Sequence, residues 1–197
     1  MKNLFSTKDE LISREAKETL LGQKGICIWL TGLSGSGKTT IAKHIAKELH
    51  QAGILTEVLD GDNIRLGINK NLSFSVEDRM ENIRRTAEIC KLFVNSGVVT
   101  ICCLVSPTEK IRLLAKEIIG ENDFYEVFIN ASLATCEKRD TKGLYQKARA
   151  GEITDFTGIS SPFETPESAS LVLDTDGKSI AESSSILLNE ILPKIKR

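Results

Sequence analysis

The sequence predicts an α/β fold in three layers, a mainly parallel five-stranded sheet with helices on both faces. Three observations predict it. Five short apolar runs bounded by turn residues alternate with segments of helical periodicity. A glycine-rich turn, Gly32 to Thr39, joins the first run to the helical segment that follows it. Polar residues suited to chemistry, Asp60-Gly61-Asp62-Asn63 and Ser106-Pro107, follow the second and third runs, and ligands of such sheets bind beyond the carboxyl ends of the strands.

Thr7 and Glu10 have capping-box spacing ahead of Leu11 to Leu21, which predicts an N-terminal helix ended by Gly22. Residues 1–24 are then expected to be a helical appendage that docks on the domain or on a second subunit, with residues 25–197 as the main domain. Ile26 to Leu30 reads as a buried parallel strand. In the next segment Ile41, Ile45 and Leu49 recur at i, i+4 and i+8, one apolar face of a helix. Leu55 to Asp60 is a second strand. A long helix is expected from near Ser75 toward Gly97, with Glu77 and Asp78 in its first turn, where negative charge suits the helix dipole.

Val98 to Val105 is the most strand-like stretch, and Pro107 is placed to open the helix through Ile119. Phe124 to Ile129 is a fourth strand, followed by short helices over Leu133 to Arg139 and Leu144 to Ala150. Residues 151–168 are rich in Gly, Pro, Ser and Thr and lack periodicity, and a loop this long inside a compact domain is usually a functional lid or disordered. Leu171 to Leu173 and a helix from Ser179 to Leu192 complete the set.

With 197 residues the chain can bury one substantial core. Its 26 Lys and Arg against 27 Asp and Glu create no basic field for nucleic acid or anionic lipid, so a small-molecule partner is expected. No apolar run is long enough to span a membrane, and the charged N-terminus does not read as a secretory signal, so a cytoplasmic protein is expected. The five cysteines are odd in number and include no C-x-x-C, which reads as reduced structural cysteine. His44 and His50 form no metal constellation.

Gly32-Leu33-Ser34-Gly35-Ser36-Gly37-Lys38-Thr39 satisfies G-x-x-x-x-G-K-[ST] at every fixed position, between a strand and a helix. Backbone N–H groups of such a turn, opening on a helix N-terminus at Thr40, converge on phosphate oxygens. This P-loop, in the three-layer fold of P-loop NTPases, assigns ATP to Gly32 through Thr40, Lys38 to the β- and γ-phosphates and the Thr39 hydroxyl to Mg²⁺. A guanine-reading Asn-Lys-x-Asp is missing, because Asn69-Lys70-Asn71-Leu72 lacks the aspartate. A motor would carry an acid where the longest strand ends in Ser106. A small kinase remains.

Such a kinase needs a lid that keeps water from the γ-phosphate. Arg139, Lys142, Lys147 and Arg149 flank the irregular stretch; they read either as lid charges or as solvated surface. Asp62 is the candidate to orient the acceptor hydroxyl and to stand on the metal side, whereas Asp60 reads as the more structural of the pair.

Together with the P-loop, Asp60-Gly61-Asp62-Asn63-Ile64-Arg65, Phe74-Ser75, Asp78-Arg79, Glu81-Asn82-Ile83-Arg84-Arg85, Lys142-Gly143-Leu144-Tyr145 and Phe156-Thr157-Gly158-Ile159 resemble the motif series of adenylylsulfate kinases. The resemblance runs from about Gly25 to the C-terminus. It implies transfer of phosphate from ATP to the ribose 3′-hydroxyl of adenosine 5′-phosphosulfate, with Mg²⁺, in a homodimer. It further implies Arg65, Arg79 and Asn82 on the phosphosulfate and Phe74 and Phe156 about the adenine. Val105, Leu144 and Thr157 complete the acceptor pocket, with Lys142 bridging to the phosphates and Arg139 near the adenine of ATP. The resemblance also marks Ser106 as a candidate phosphorylated intermediate. The residues themselves favour a substrate contact there, since no base is placed to activate the hydroxyl. Other acceptors, a nucleotide or a sugar acid, and a nucleotide-binding regulatory role are the competing readings.

Overall fold

The computed structural model describes Phe5, Thr7 and residues 10–197. Five parallel strands, β1 (Ile26–Thr31), β2 (Thr56–Asp60), β3 (Val99–Cys103), β4 (Phe124–Asn130) and β5 (Leu171–Asp174), form one sheet in the order β2-β3-β1-β4-β5. The pairing is parallel throughout. β1 is central, and the chain leaves it toward β3 and β2 on one side and toward β4 and β5 on the other. That reversal opens a crevice beyond the carboxyl end of β1.

The period of two along β1 divides the core. Ile26, Ile28 and Leu30 face one apolar cluster, and Cys27 and Trp29 face the other. The first cluster lies under α2 (Lys38–Gln51) and α8 (Ile180–Ile195), the second under α4 (Val76–Val94) and α5 (Glu109–Ile119). With both faces covered, all six residues of β1 are buried, which is why it reads as an unbroken apolar run.

The helix boundaries follow their caps. Ser75 accepts from the Asp78 N–H and Ser179 forms a full capping box with Glu182. α5 begins one step later than expected: Thr108 is its cap, so Pro107 lies outside the helix. The N-terminal helix α1 (Arg14–Leu21) also starts later, because Ser13 and not Thr7 accepts the orphan N–H, that of Ala16. Ser6, Lys8 and Asp9 of the expected capping box lie outside the described residues. Gly22 closes α1 in a left-handed conformation, as expected. Behind it, buried Gln23 exchanges hydrogen bonds with Leu55 and donates to the Gly97 carbonyl, while Arg14 grips both carboxylate oxygens of Asp123 at 2.6 and 2.8 Å.

Two short helices frame the site: α6 (Leu133–Arg139) and α7 (Leu144–Arg149). A further one, α3 (Gly61–Leu66), is hidden in the sequence by its glycine start. Residues 151–168 carry one isolated bridge, Thr157 to Ser161, and otherwise no regular structure. Among the described residues no helix is long and apolar enough to cross a membrane.

Candidate active site

The phosphate loop leaves β1 at Gly32, whose φ of 145° and position 2.5 Å (from an added Cβ) from the Ile129 carbonyl oxygen exclude any side chain. Gly37 caps α2, so the N–H groups of Lys38, Thr39 and Thr40 open the helix toward the loop. Three side chains from outside hold the loop's carbonyls. The Tyr145 hydroxyl donates to Ser34 O at 2.8 Å, Arg139 donates to Gly35 O and Ser36 O, and the Thr175 hydroxyl also donates to Ser36 O. Arg139, expected near the adenine of ATP, thus braces the loop while lining the cavity.

Lys38 reaches back across the turn to Gly32 O and Leu33 O at 2.8 and 2.7 Å. Burial pushes its ammonium down to about 8. Inside the loop, the Ser36 hydroxyl oxygen is buried with no hydrogen-bond partner. A loop with a buried cation, an orphaned hydroxyl and a helix N-terminus is built for an anion.

The two aspartates after β2 separate in space. Asp60 accepts the Thr39 hydroxyl at 2.7 Å on one oxygen and the Asp62 N–H on the other. Asp62, exposed on the first turn of α3, forms an ion pair with Lys142 across the cavity mouth. The carboxylate that touches the phosphate loop is therefore that of Asp60, and Asp62 stands farther out.

Val105, Ser106 and Pro107 form a turn beyond β3. Ser106 has a φ of 44°, a conformation costly for a residue with a side chain, and it is buried. Three donors fix it. Trp29 Nε1 donates to the Ser106 hydroxyl at 3.0 Å, Arg112 donates to the Ser106 carbonyl at 3.0 Å, and the Thr31 hydroxyl donates to the Val105 carbonyl at 2.7 Å. Arg112, itself buried, is paired with Glu126 at 3.0 Å. Among the described residues, no histidine or carboxylate hydrogen-bonds the Ser106 hydroxyl.

On the far side, the Arg65 guanidinium lies 4.3 Å over the Phe74 ring and donates to the Ser73 carbonyl. Arg79 joins α4 to the irregular stretch, donating to Phe74 O at 2.7 Å, the Thr157 hydroxyl at 3.1 Å and Asp155 O at 2.7 Å. Buried Asn82 accepts from Asn69 at 2.9 Å. Phe156 packs edge-on to Tyr145, 5.0 Å between centroids.

One cavity of about 860 Å³ joins these parts, lined by the loop from Ser34 to Thr40 but not by Gly32 or Leu33, and by both aspartates, Arg65, Phe74, Arg79, Asn82, Ser106 and Lys142. Leu144, Phe156 and Thr157 do not line it, nor do Lys147 and Arg149, the latter paired with Glu137. Sequence reasoning missed Trp29, Tyr145 and Thr175 as supports, as well as Lys178 and Ser183 on the cavity wall. Thr175 and Lys178 follow β5, so the strand-end rule that found Asp62 also pointed to them.

The family model for adenylylsulphate kinase matches residues 24–174. An adenylyl-sulfate kinase of Bacteroides fragilis is 55% identical over 195 residues, 99% of this chain and 96% of the relative. The solved structure of the Mycobacterium tuberculosis APS kinase CysC in complex with AMPPNP and APS superposes with a TM-score of 0.81 at 44% identity, covering 84% of this chain and 96% of that one. A hexameric APS kinase from Thiobacillus denitrificans matches at 25% identity and a TM-score of 0.67, over 88% of this chain and 30% of that one. With its fold, its phosphate loop and these matches in agreement, the chain belongs to the adenylylsulphate kinase family.

Proposed function

We propose that the chain transfers the γ-phosphoryl group of ATP to the ribose 3′-hydroxyl of adenosine 5′-phosphosulfate, giving 3′-phosphoadenosine 5′-phosphosulfate and ADP, as a step in sulfate activation. The observation that carries this reading is the single cavity running from the phosphate loop to the Arg65, Phe74 and Arg79 cluster. One end suits a triphosphate. The other offers two guanidinium forks and an aromatic face, the groups that match phosphate or sulfate oxygens and a purine.

The loop and Lys38 bind the triphosphate, and Lys38 meets the charge that spreads over the transferring group. Thr39 and Asp60 present two adjacent oxygen donors, which fit a hard divalent cation. Mg²⁺ held there would neutralise the β- and γ-phosphate oxygens. Asp62 orients the acceptor hydroxyl and takes its proton, once Lys142 has turned from it to the phosphates. Arg65, Arg79 and Asn82 hold the phosphosulfate, Phe74 stacks on the adenine, and Phe156 and Thr157 close over it with residues 151–168 as a lid. Val105 and Leu144 complete the apolar wall. Ser106, fixed as an acceptor for Trp29, contacts substrate and needs no covalent role, since in-line transfer requires no protein nucleophile.

The assembly proposed is a cytoplasmic homodimer. It is supported by the exposed apolar Leu11, Ile12 and Leu20 beside and on α1. The test of function is coupled ADP release with ATP and a panel of acceptors, adenosine 5′-phosphosulfate at low and high concentration among them. Turnover with that acceptor is expected. Turnover with a nucleotide or sugar acid, and none with adenosine 5′-phosphosulfate, would overturn the reading.

A further inference from the structure

Within the apolar cluster under α4 and α5 lies a group of side chains that phosphoryl transfer does not use. Cys27 of β1, Cys90 of α4 and Cys102 of β3 point their sulfurs at one another, all within 4.8 Å, with Cys90 and Cys102 2.9 Å apart. All three residues are fully buried. Their distances along the chain conceal the trio, so a sequence without C-x-x-C reads as structural cysteine. The register explains the meeting: Trp29 pairs with Cys102, which brings Cys27 and Cys102 to the same face of adjacent strands, and α4 lays Cys90 over both.

The surroundings define the chemistry. Trp29, Leu59, Ala87, Val94, Leu104 and Phe124 belong to the same cluster. Among the described residues no histidine or carboxylate joins the three sulfurs at ligand distance. The site thus offers three soft donors, no fourth ligand and no compensating cation. Zinc favours four ligands, and its complex with three thiolates alone would bury net negative charge in an apolar core. Copper(I) on three thiolates would bury more. A trivalent centre is different: three thiolates satisfy its valence and leave a neutral complex.

We propose that Cys27, Cys90 and Cys102 form a three-sulfur binding site for a trivalent thiophilic centre, with arsenic(III) as its representative ligand. Arsenous acid enters neutral. Three As–O bonds break and three As–S bonds form, each thiol proton leaves with a hydroxide as water, and no atom changes oxidation state. Thiolates about 2.3 Å from a shared centre lie roughly 3.5 to 4 Å apart, inside the envelope of the trio. Burial holds the Cys27 and Cys102 thiols well above their usual range, which favours a neutral product. Entry requires local opening of α4, so binding is slow in the native protein and faster in mild denaturant. Occupancy ties together the strand that leads into the phosphate loop, the strand that precedes the Ser106 turn and the helix that carries Arg79 and Asn82.

The test is anaerobic incubation of the reduced protein with arsenite, both native and during refolding from urea. Intact mass spectrometry and arsenic X-ray absorption give the readout. One arsenic per chain is expected, with three protons lost and three sulfur neighbours. Cys27→Ala, Cys90→Ala and Cys102→Ala should each weaken retention at least about 100-fold, because the third bond is an intramolecular gain. Cys103→Ala and Cys136→Ala should leave it unchanged, and zinc should not be retained. The proposal fails if arsenic is absent from both samples, if it maps to Cys103 or Cys136, or if a trio variant retains it as well as wild type. Should an alanine variant not fold, the absorption spectrum of the wild type decides alone: two sulfurs, or oxygen neighbours, overturn the site.

Discussion

The Thr39 hydroxyl donates to Asp60 at 2.7 Å, which ties the end of the phosphate loop to the end of β2. Asp60 in turn caps α3 through the Asp62 N–H, so one carboxylate fixes both the Thr39 hydroxyl and the start of the helix bearing the second acid. The aspartates then have separable roles. Asp60→Asn should raise the Mg²⁺ concentration needed for half-maximal rate. Asp62→Asn should lower kcat by about 100-fold or more at an unchanged Mg²⁺ requirement. Full turnover by Asp62→Asn in a steady-state assay would remove it from the chemistry.

Lys38 trades stability for function. Its ammonium titrates near 8 in the folded protein against 10.5 for an ordinary lysine. Between those values the unfolded chain binds the extra proton, so stability without nucleotide should rise with pH across that window. Below it, the buried charge costs up to about 3 kcal/mol, and Lys38→Met should therefore melt several degrees higher at pH 7. The same variant should lose about 100-fold or more in kcat. Melting curves across pH, paired with rates, check both halves.

Removing the Ser106 hydroxyl should be a structural event first. Ser106→Ala leaves the buried Trp29 N–H without its acceptor, a cost of about 1–3 kcal/mol. Substantial activity should survive, and no acid-stable phosphoserine should accumulate from γ-labelled ATP. Stoichiometric labelling at Ser106, discharged by acceptor at a competent rate, is the opposite result.

Arg79 holds three oxygens on two segments, Phe74 O, Thr157 Oγ1 and Asp155 O. Arg79→Ala should raise the KM for the acceptor by about 10- to 100-fold, with a smaller change in the KM for ATP. Arg79→Lys should not restore it, since an ammonium lacks the planar fork. Proteolysis within residues 151–168 should also quicken in both variants.

The sheet and the donor loop were legible because their signals are local. Ile26 to Leu30 is apolar on both faces, and the loop's glycines sit at fixed offsets. Helix ends were off where two caps competed, as at Thr7 and Ser13, because sequence cannot show which side chain reaches an orphan N–H. The site was half legible. Asp62, Arg65 and Arg79 carry charge at strand and helix ends, whereas Trp29, Thr31, Arg112 and Tyr145 act through contacts between elements remote in sequence. How Asp60 and Asp62 divide their contacts was hidden for the same reason: two carboxylates two residues apart look alike until α3 turns one away.

The ion pair of Lys142 with Asp62 joins two walls of the cavity. While the pair stands, the Asp62 carboxylate is occupied by Lys142. Both side chains are largely exposed, and opening such a pair costs under about 1 kcal/mol. An arriving acceptor can therefore part them readily. The mouth of the cavity is thus spanned by a contact that an entering ligand can open at little cost.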